Sequence, residues 1–123
     1  MGKLKIKRAY EEMTPEDGKR ILVDRVWPRG IKKETLHLDL WAKDIAPTKE
    51  LRQQFNHQVE KFSWFQTNYR TELAANSSVT AFIQQISEWL QTENVTLIYS
   101  AKDTQHNQAV VLAQFLKEEL AIC

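Results

Sequence analysis

Apolar and polar residues alternate from Lys3 to Tyr10, with Leu4, Ile6 and Arg8 on one side and Lys5, Lys7 and Ala9 on the other. That period of two predicts a short strand, and its lysines suit a sheet edge, where charge discourages pairing with another chain. Thr14-Pro15-Glu16-Asp17-Gly18 reads as a turn, punctuated by proline and glycine. Ile21-Leu22-Val23 then opens a strand apolar on both faces, as in a covered parallel sheet, and Pro28 and Gly30 stop it.

From Glu34 to Asp44 the pattern is ambiguous: Leu36, Leu38, Leu40 and Trp41 fit a loop with a short helix. Thr48 followed by Leu51 and Phe55 predicts a short capped helix. Val59, Phe62, Phe65, Tyr69 and Leu73 recur at three- and four-residue steps, one face of a helix over about 59 to 75. Ser77 or Ser78 can cap the next helix, whose inner face is Val79, Phe82, Ile83, Ile86, Trp89 and Leu90. Val95-Thr96-Leu97-Ile98-Tyr99 is rich in β-favouring residues and predicts a third strand. Asp103 or Thr104 can cap a last helix that turns Ala109, Leu112, Phe115, Leu116 and Leu120 inward.

Strands separated by helical stretches predict an α/β fold, a small and mainly parallel sheet of about three to four strands flanked by helices. No repeat, low-complexity tract or linker interrupts the pattern, and 123 residues suit one compact domain over 1–123. Composition adds little to that picture: 42% hydrophobic and 27% charged residues are ordinary for a globular chain. Charge matters more. Lys+Arg number 17 and Asp+Glu 16, so the net charge of +1 argues against a general nucleic-acid coat and leaves room only for a local basic patch.

The start, Met1-Gly2-Lys3-Leu4-Lys5, leads into no apolar signal segment, and no run approaches the roughly 18 apolar residues of a membrane span. Ile6 stands where a myristoylation motif needs Ser or Thr, and the acceptor patterns at Asn76 and Asn94 are formal matches. The single cysteine, Cys123, excludes an internal disulfide framework, and its terminal place does not suit a catalytic thiol. A cytoplasmic protein with no membrane partner is expected; oligomeric state is left open.

Candidate chemistry gathers where two strands end. In open parallel α/β sheets, ligands bind beyond the carboxyl ends of the strands. One such end reads Asp24-Arg25-Val26-Trp27-Pro28-Arg29-Gly30, and the other Ser100-Ala101-Lys102-Asp103, followed by His106 and Asn107 in the first turn of a helix. If the two strands are parallel neighbours, these segments share one rim. Arg25 and Arg29 then offer guanidinium forks for phosphate or carboxylate, and the helix start offers free N–H groups and positive partial charge. Ser100 and Asn107 supply neutral hydrogen-bonding groups, and His106 a proton carrier near neutral pH. Pro28 and Gly30 fix a turn that lets backbone approach closely, and Trp27 can wall one side.

Each residue also has a plainer use. Asp24 and Arg25 can satisfy a strand end, Trp27 can lid the core, Asp103 can be only a helix cap, and Lys32-Lys33 only a solvated pair. The three histidines, His37, His57 and His106, do not make a zinc site, and no metal is expected. No glycine-rich phosphate loop, serine elbow or Cys-x5-Arg loop occurs. Ser100, Asp103 and His106 contain the residue types of a hydrolytic triad but lie too close in sequence, across a helix start, to be expected to form its relay.

The strings RILVDRVWPRGIKKE, LDLWAKDIAP, ELRQQF, YRTELA and TLIYSAKDTQHNQAVVLAQFL resemble the small bacterial YeaO-like proteins, grouped under domain of unknown function 488. The resemblance covers nearly the whole chain. It implies a compact α/β domain of bacterial or archaeal cytoplasm, in a family whose molecular function is essentially uncharacterised. The family pattern maps onto Asp24, Arg25, Trp27, Pro28, Arg29, Gly30, Lys33, Trp41, His106 and Asn107. Distant branches carry Cys and a Cys-His-Arg cluster in the last strand and helix, where this chain has Tyr99, Asn107, Gln108 and Ala109. Close relatives often place a second His where Gln108 stands. These departures leave thiol, metal and two-histidine chemistry without their residues. An association of some relatives with porphyrin methylation has no counterpart here, since no methyl-donor motif occurs, and no cofactor is expected.

The leading expectation is therefore a pocket for a small anionic ligand bearing phosphate or carboxylate. Its residues are Asp24, Arg25, Trp27, Arg29, Gly30, Lys33, Ser100, Lys102 and Asn107, with His106 as the candidate acid or base. Two alternatives use the same rim: a nucleic-acid or protein interaction module built on Arg25, Arg29, Lys32, Lys33 and Lys102, or a ligand-free structural ion network.

Overall fold

The computed structural model describes residues 1–122, so Cys123 lies outside it. Its sheet has four parallel strands in the order β1-β4-β2-β3: β1 (Leu4–Arg8), β2 (Lys19–Leu22), β3 (Leu40–Trp41) and β4 (Val95–Tyr99). The α/β class holds, and the sheet is wholly parallel. β1 is an edge strand, as its lysines predict. β3, which pairs only Ile21↔Leu40 and Leu22↔Trp41, lies within the stretch that the pattern leaves ambiguous. A ladder this short carries no alternation to read.

The helices are α1 (Lys33–Leu36), α2 (Lys49–Phe55), α3 (Phe62–Ala75), α4 (Val79–Leu90) and α5 (Gln108–Leu120). Ile21 on β2 and Val23 just past its end, with Val95, Leu97 and Tyr99 on β4, belong to the main core together with the inner faces of α3, α4 and α5. Leu22 and Ile98 belong to a smaller core under Trp27, Ile31, Leu38 and Trp41. Ile21, Leu22 and Val23 are fully buried, as a strand covered on both faces requires.

The register also places Lys5, Arg20 and Thr96 side by side, with Lys7 opposite Ile98 on that same face. Here the sheet is closed by charge rather than by hydrocarbon. Arg20 donates from Nε to the Leu36 carbonyl at 2.9 Å and pairs with Asp17 at 2.6 Å; both side chains are buried. Lys7 adds a second cation to Asp17 at 3.1 Å, and Thr96 Oγ1 donates to the Asp17 carbonyl at 2.7 Å. Gly18 holds this corner. Its φ is +62°, and an added Cβ would lie 2.0 Å from the Asn94 carbonyl oxygen.

The caps correct two expectations. Thr48 caps α2 as predicted, its Oγ1 accepting from Leu51 N at 3.3 Å. Ser78 stands at the N-cap of α4, as expected of one of the two serines, but its side chain makes no capping bond; Asn76 Oδ1 accepts from Ser78 N. For α5 the cap is Asn107, which accepts from Val110 N at 3.0 Å, not Asp103 or Thr104. Asp103 instead folds the preceding loop, taking the Gln105 and His106 N–H groups on Oδ1 at 2.9 and 3.0 Å. Several oxygen-bearing side chains in a row can each cap; the one chosen depends on where the loop meets the core. Among the described residues, no helix is long and apolar enough to cross a membrane.

Candidate functional site

Because β2 and β4 are parallel neighbours, with Val23 N bonded to Ile98 O at 2.9 Å, their two carboxyl ends share one rim. Beyond that rim lies a cleft of about 800 Å³. Asp24, Ser100 and Gln108 from the strand ends and α5 line it, facing Arg52 of α2. Phe55, Phe65 and Trp27 supply apolar wall, while Tyr10, Arg29 and Lys102 line it nearer the surface.

Asp24 is only 7% exposed. Its Oδ2 accepts from Ser100 N at 3.0 Å and from Ser100 Oγ at 2.6 Å, while Oδ1 accepts from Gln108 Nε2. Burial pushes its carboxyl above the usual aspartate value, against the opposing pull of Ser100, Gln108 and the Arg52 charge. Arg25 is held by the fold: its Nε and one terminal nitrogen donate to the carbonyls of Pro47 and Ala46, both at 3.0 Å. It lines the cleft with part of its fork already used.

Trp27 donates to the Ile31 carbonyl at 2.7 Å and meets Trp41 edge-on, ring centres 5.4 Å apart. It is at once a lid on the smaller core and a wall of the cleft. Arg29 and Lys102 are exposed and reach the cleft unpaired among the described residues. Gly30 (φ +81°) and Lys33 shape the neighbouring turn and helix start without lining the cleft. Asn107 is 1% exposed, and its amide is spent on Val110 N and the Asp103 carbonyl.

His106 does not line the cleft. Its Nδ1 lies 2.9 Å from Asp103 Oδ2, and its ring stands edge-on to Phe62. Ser100 thus bonds Asp24 while His106 bonds Asp103: two separate pairs, and no serine-histidine relay. No ion pair joins Asp24, Arg25, Arg29 or Lys102 among the described residues, so the buried ion cluster of this fold is the Asp17 group, away from this rim.

The pattern passed over Arg52 and marked Gln108 only as a departure from the family pattern, not as a site residue. Arg52 is half-buried, lines the cleft, and makes no side-chain hydrogen bond or ion pair among the described residues; its Nε is out of contact with solvent and without a partner. On a helix whose inner face is Leu51 and Phe55, an arginine reads by default as solvated surface. The available signal was its place one turn before Phe55, which points it along the same wall. Asn56 and His57, which follow, both take left-handed backbone (φ 47° and 56°) and line the cleft as well.

Fold and site together define a small parallel α/β domain with a cationic cleft at the carboxyl ends of its central strands. The chain belongs to the DUF488-N3i family, described as the inactive DUF488-N3 subclade, whose model matches residues 3–122. It is similar to the uncharacterized protein YeaO of Escherichia coli K12, 42% identical over 114 residues that span 93% of this chain and 96% of YeaO. It is also similar to the uncharacterized protein Rv3073c of Mycobacterium tuberculosis H37Rv, 36% identical over 114 residues, 93% of each chain. No solved structure matches it significantly.

Proposed function

We propose that this cleft binds a small organic anion carrying carboxylate or phosphate, and that it does so as a binding site rather than as a reaction centre. The observation that carries the reading is Arg52: a half-buried guanidinium in a cleft wall with no protein partner among the described residues. A buried donor left unmade costs roughly 1–3 kcal/mol, so an arginine kept there for structure alone would be expected to find an acceptor. Around it, four cationic side chains (Arg25, Arg29, Arg52 and Lys102) face two carboxylates, Asp24 and Asp103. That excess favours an anion.

Binding without turnover agrees with the subclade's description as inactive. It also agrees with the side chains in place, since the Ser100 hydroxyl is engaged by Asp24 and His106 lies outside the cleft. The test is a thermal-shift series with phosphate, sulfate and small carboxylates on the parent, Arg52→Met and Arg29→Ala. The expected result is a rise with anions in the parent, abolished in Arg52→Met and reduced in Arg29→Ala. An equal rise in Arg52→Met would remove this arginine from the site.

A further inference from the structure

Charge in the cleft is not balanced by the chain. Four cations line it against two carboxylates, an excess larger than the net charge of +1 on the whole molecule. Elsewhere cations find carboxylates: Lys7 and Arg20 share Asp17, Lys19 reaches Asp39 and Glu93, and Arg70 meets Glu118. Among the described residues, none of the cleft's four does so. Asp24 and Asp103 are answered instead by Ser100, Gln108, Gln105 and His106.

These cations stand at two levels, and each level is braced. Arg52 is half-buried in the wall. Arg25 fastens the segment leading into its helix, since the carbonyls that Arg25 holds, those of Ala46 and Pro47, directly precede the Thr48 cap. Arg29 and Lys102 are exposed, and the segments that carry them are tied to the end of β1. Tyr10 Oη donates to the Arg29 carbonyl at 2.9 Å, and Arg8 donates to the carbonyls of Ala101 and Ser100 at 2.8 and 3.1 Å. The Arg8 guanidinium also lies over the Tyr10 ring, 5.0 Å from its centre. Backbone held in this way lowers the cost of keeping two exposed cations ready for a ligand. A volume of about 800 Å³ is typical of whole organic ligands and gives room for two charged groups on one molecule.

Resting on the anion-binding reading above, we infer that the ligand is an organic dianion with two separate carboxylate or phosphate groups, one meeting Arg52 in the wall and the other meeting Arg29 and Lys102 nearer the surface. Two negative charges match the excess of two cations in the lining. The second group adds charge-assisted hydrogen bonds that a monoanion of the same length does not make. Arg29 and Lys102 thereby set specificity by charge count, while Arg52 holds the group that any anion offers.

Straight-chain acids matched in length isolate the second charge: succinate against butyrate, adipate against hexanoate, and suberate against octanoate. Titrations of the isotope-labelled protein at fixed ionic strength, followed by NMR and with inorganic phosphate as a further probe, give each dissociation constant. At least one diacid is expected to bind about tenfold more tightly than its matched monoacid. In the double variant Arg29→Ala/Lys102→Ala, whose changes are confined to exposed side chains, that ratio is expected to fall to about one. Diacids equal to their monoacids at every length would overturn the dianion and leave the anion site standing. Phosphate as tight as the best diacid would do the same, since one group would then suffice. A diacid advantage that survives in the double variant would remove Arg29 and Lys102 from the inference and so overturn it. No shift with any probe would sink both this inference and the anion site on which it rests.

Discussion

Arg20 and Arg52 each hold a guanidinium Nε away from water on this small domain, yet they are treated in opposite ways. Arg20, 3% exposed on β2, has a carbonyl for its Nε and a carboxylate for its terminal nitrogen, and the Asp17 that receives it is also held by Lys7 and by the N–H of Thr14. Arg52 has a buried Nε and no partner among the described residues. The first arrangement is what structure demands of a buried charge: a carboxylate for the charge and a carbonyl for the Nε, both within the chain. In the proposed function, the second takes its complement from a bound anion. The difference teaches that the location of a charge says less about its role than the list of its partners does.

The comparison breaks most readily at Asp17. Asp17→Ala strands Arg20 in the small core, and a loss of roughly 3–5 kcal/mol in urea unfolding is expected. A loss no greater than that of a surface substitution would mean that Arg20 finds water and is not the buried pair described. Arg52→Met should go the other way: removing a partnerless donor while keeping the hydrocarbon stem leaves stability unchanged or raises it by up to about 1 kcal/mol in the same assay. A loss as large as that of Asp17→Ala would make Arg52 structural.

The two aspartates sharpen the contrast through pH. At Asp17, burial opposes ionisation, but the bonds from Thr14, Lys7 and Arg20 outweigh it and hold the carboxyl below the ordinary value of 3.8. Its stabilising contribution is therefore present above that value and is lost as pH falls through the lower folded one. At Asp24, burial prevails and the folded value is raised, so its ionisation costs stability as pH climbs from 3.8 through the folded value. Carboxyl carbon titration by NMR should show Asp17 titrating below the ordinary value and Asp24 above it. The reverse order would undo the assignment of one carboxylate to structure and the other to the cleft.

Much of the fold was readable because its elements repeat a period. The alternation of Leu4 to Arg8, the apolar Ile21-Leu22-Val23 and the β-rich Val95–Tyr99 each became a strand, and the helical faces of Val79–Leu90 and Gln108–Leu120 needed no tertiary information. Leu40–Trp41 did not announce itself, since two residues carry no period and pair only because β2 lies alongside. The rim was likewise readable, because Asp24 and Ser100 end neighbouring strands. Arg25 and Asn107 were legible as polar residues in the right place, but not as residues whose bonding groups the backbone would claim. Arg52 depends on a helix docking across the strand ends, a contact between distant parts of the chain that local pattern does not encode. His106 shows the same limit: one loop turned around Asp103 carries it to Phe62 and out of the cleft.

The edge-on contact of Trp27 and Trp41, with ring centres 5.4 Å apart, gives the molecule an optical handle. Two indoles this close share their excited states, so their circular dichroism carries a paired signal set by the angle between the rings. Trp27 walls the cleft while Trp41 is tied by its Nε1 to the Asp24 carbonyl at 2.7 Å. Anything that enters and presses on one ring, or pulls on Asp24 beneath the other, changes that angle and hence the spectrum. The protein carries its own label at the place where occupancy is to be read.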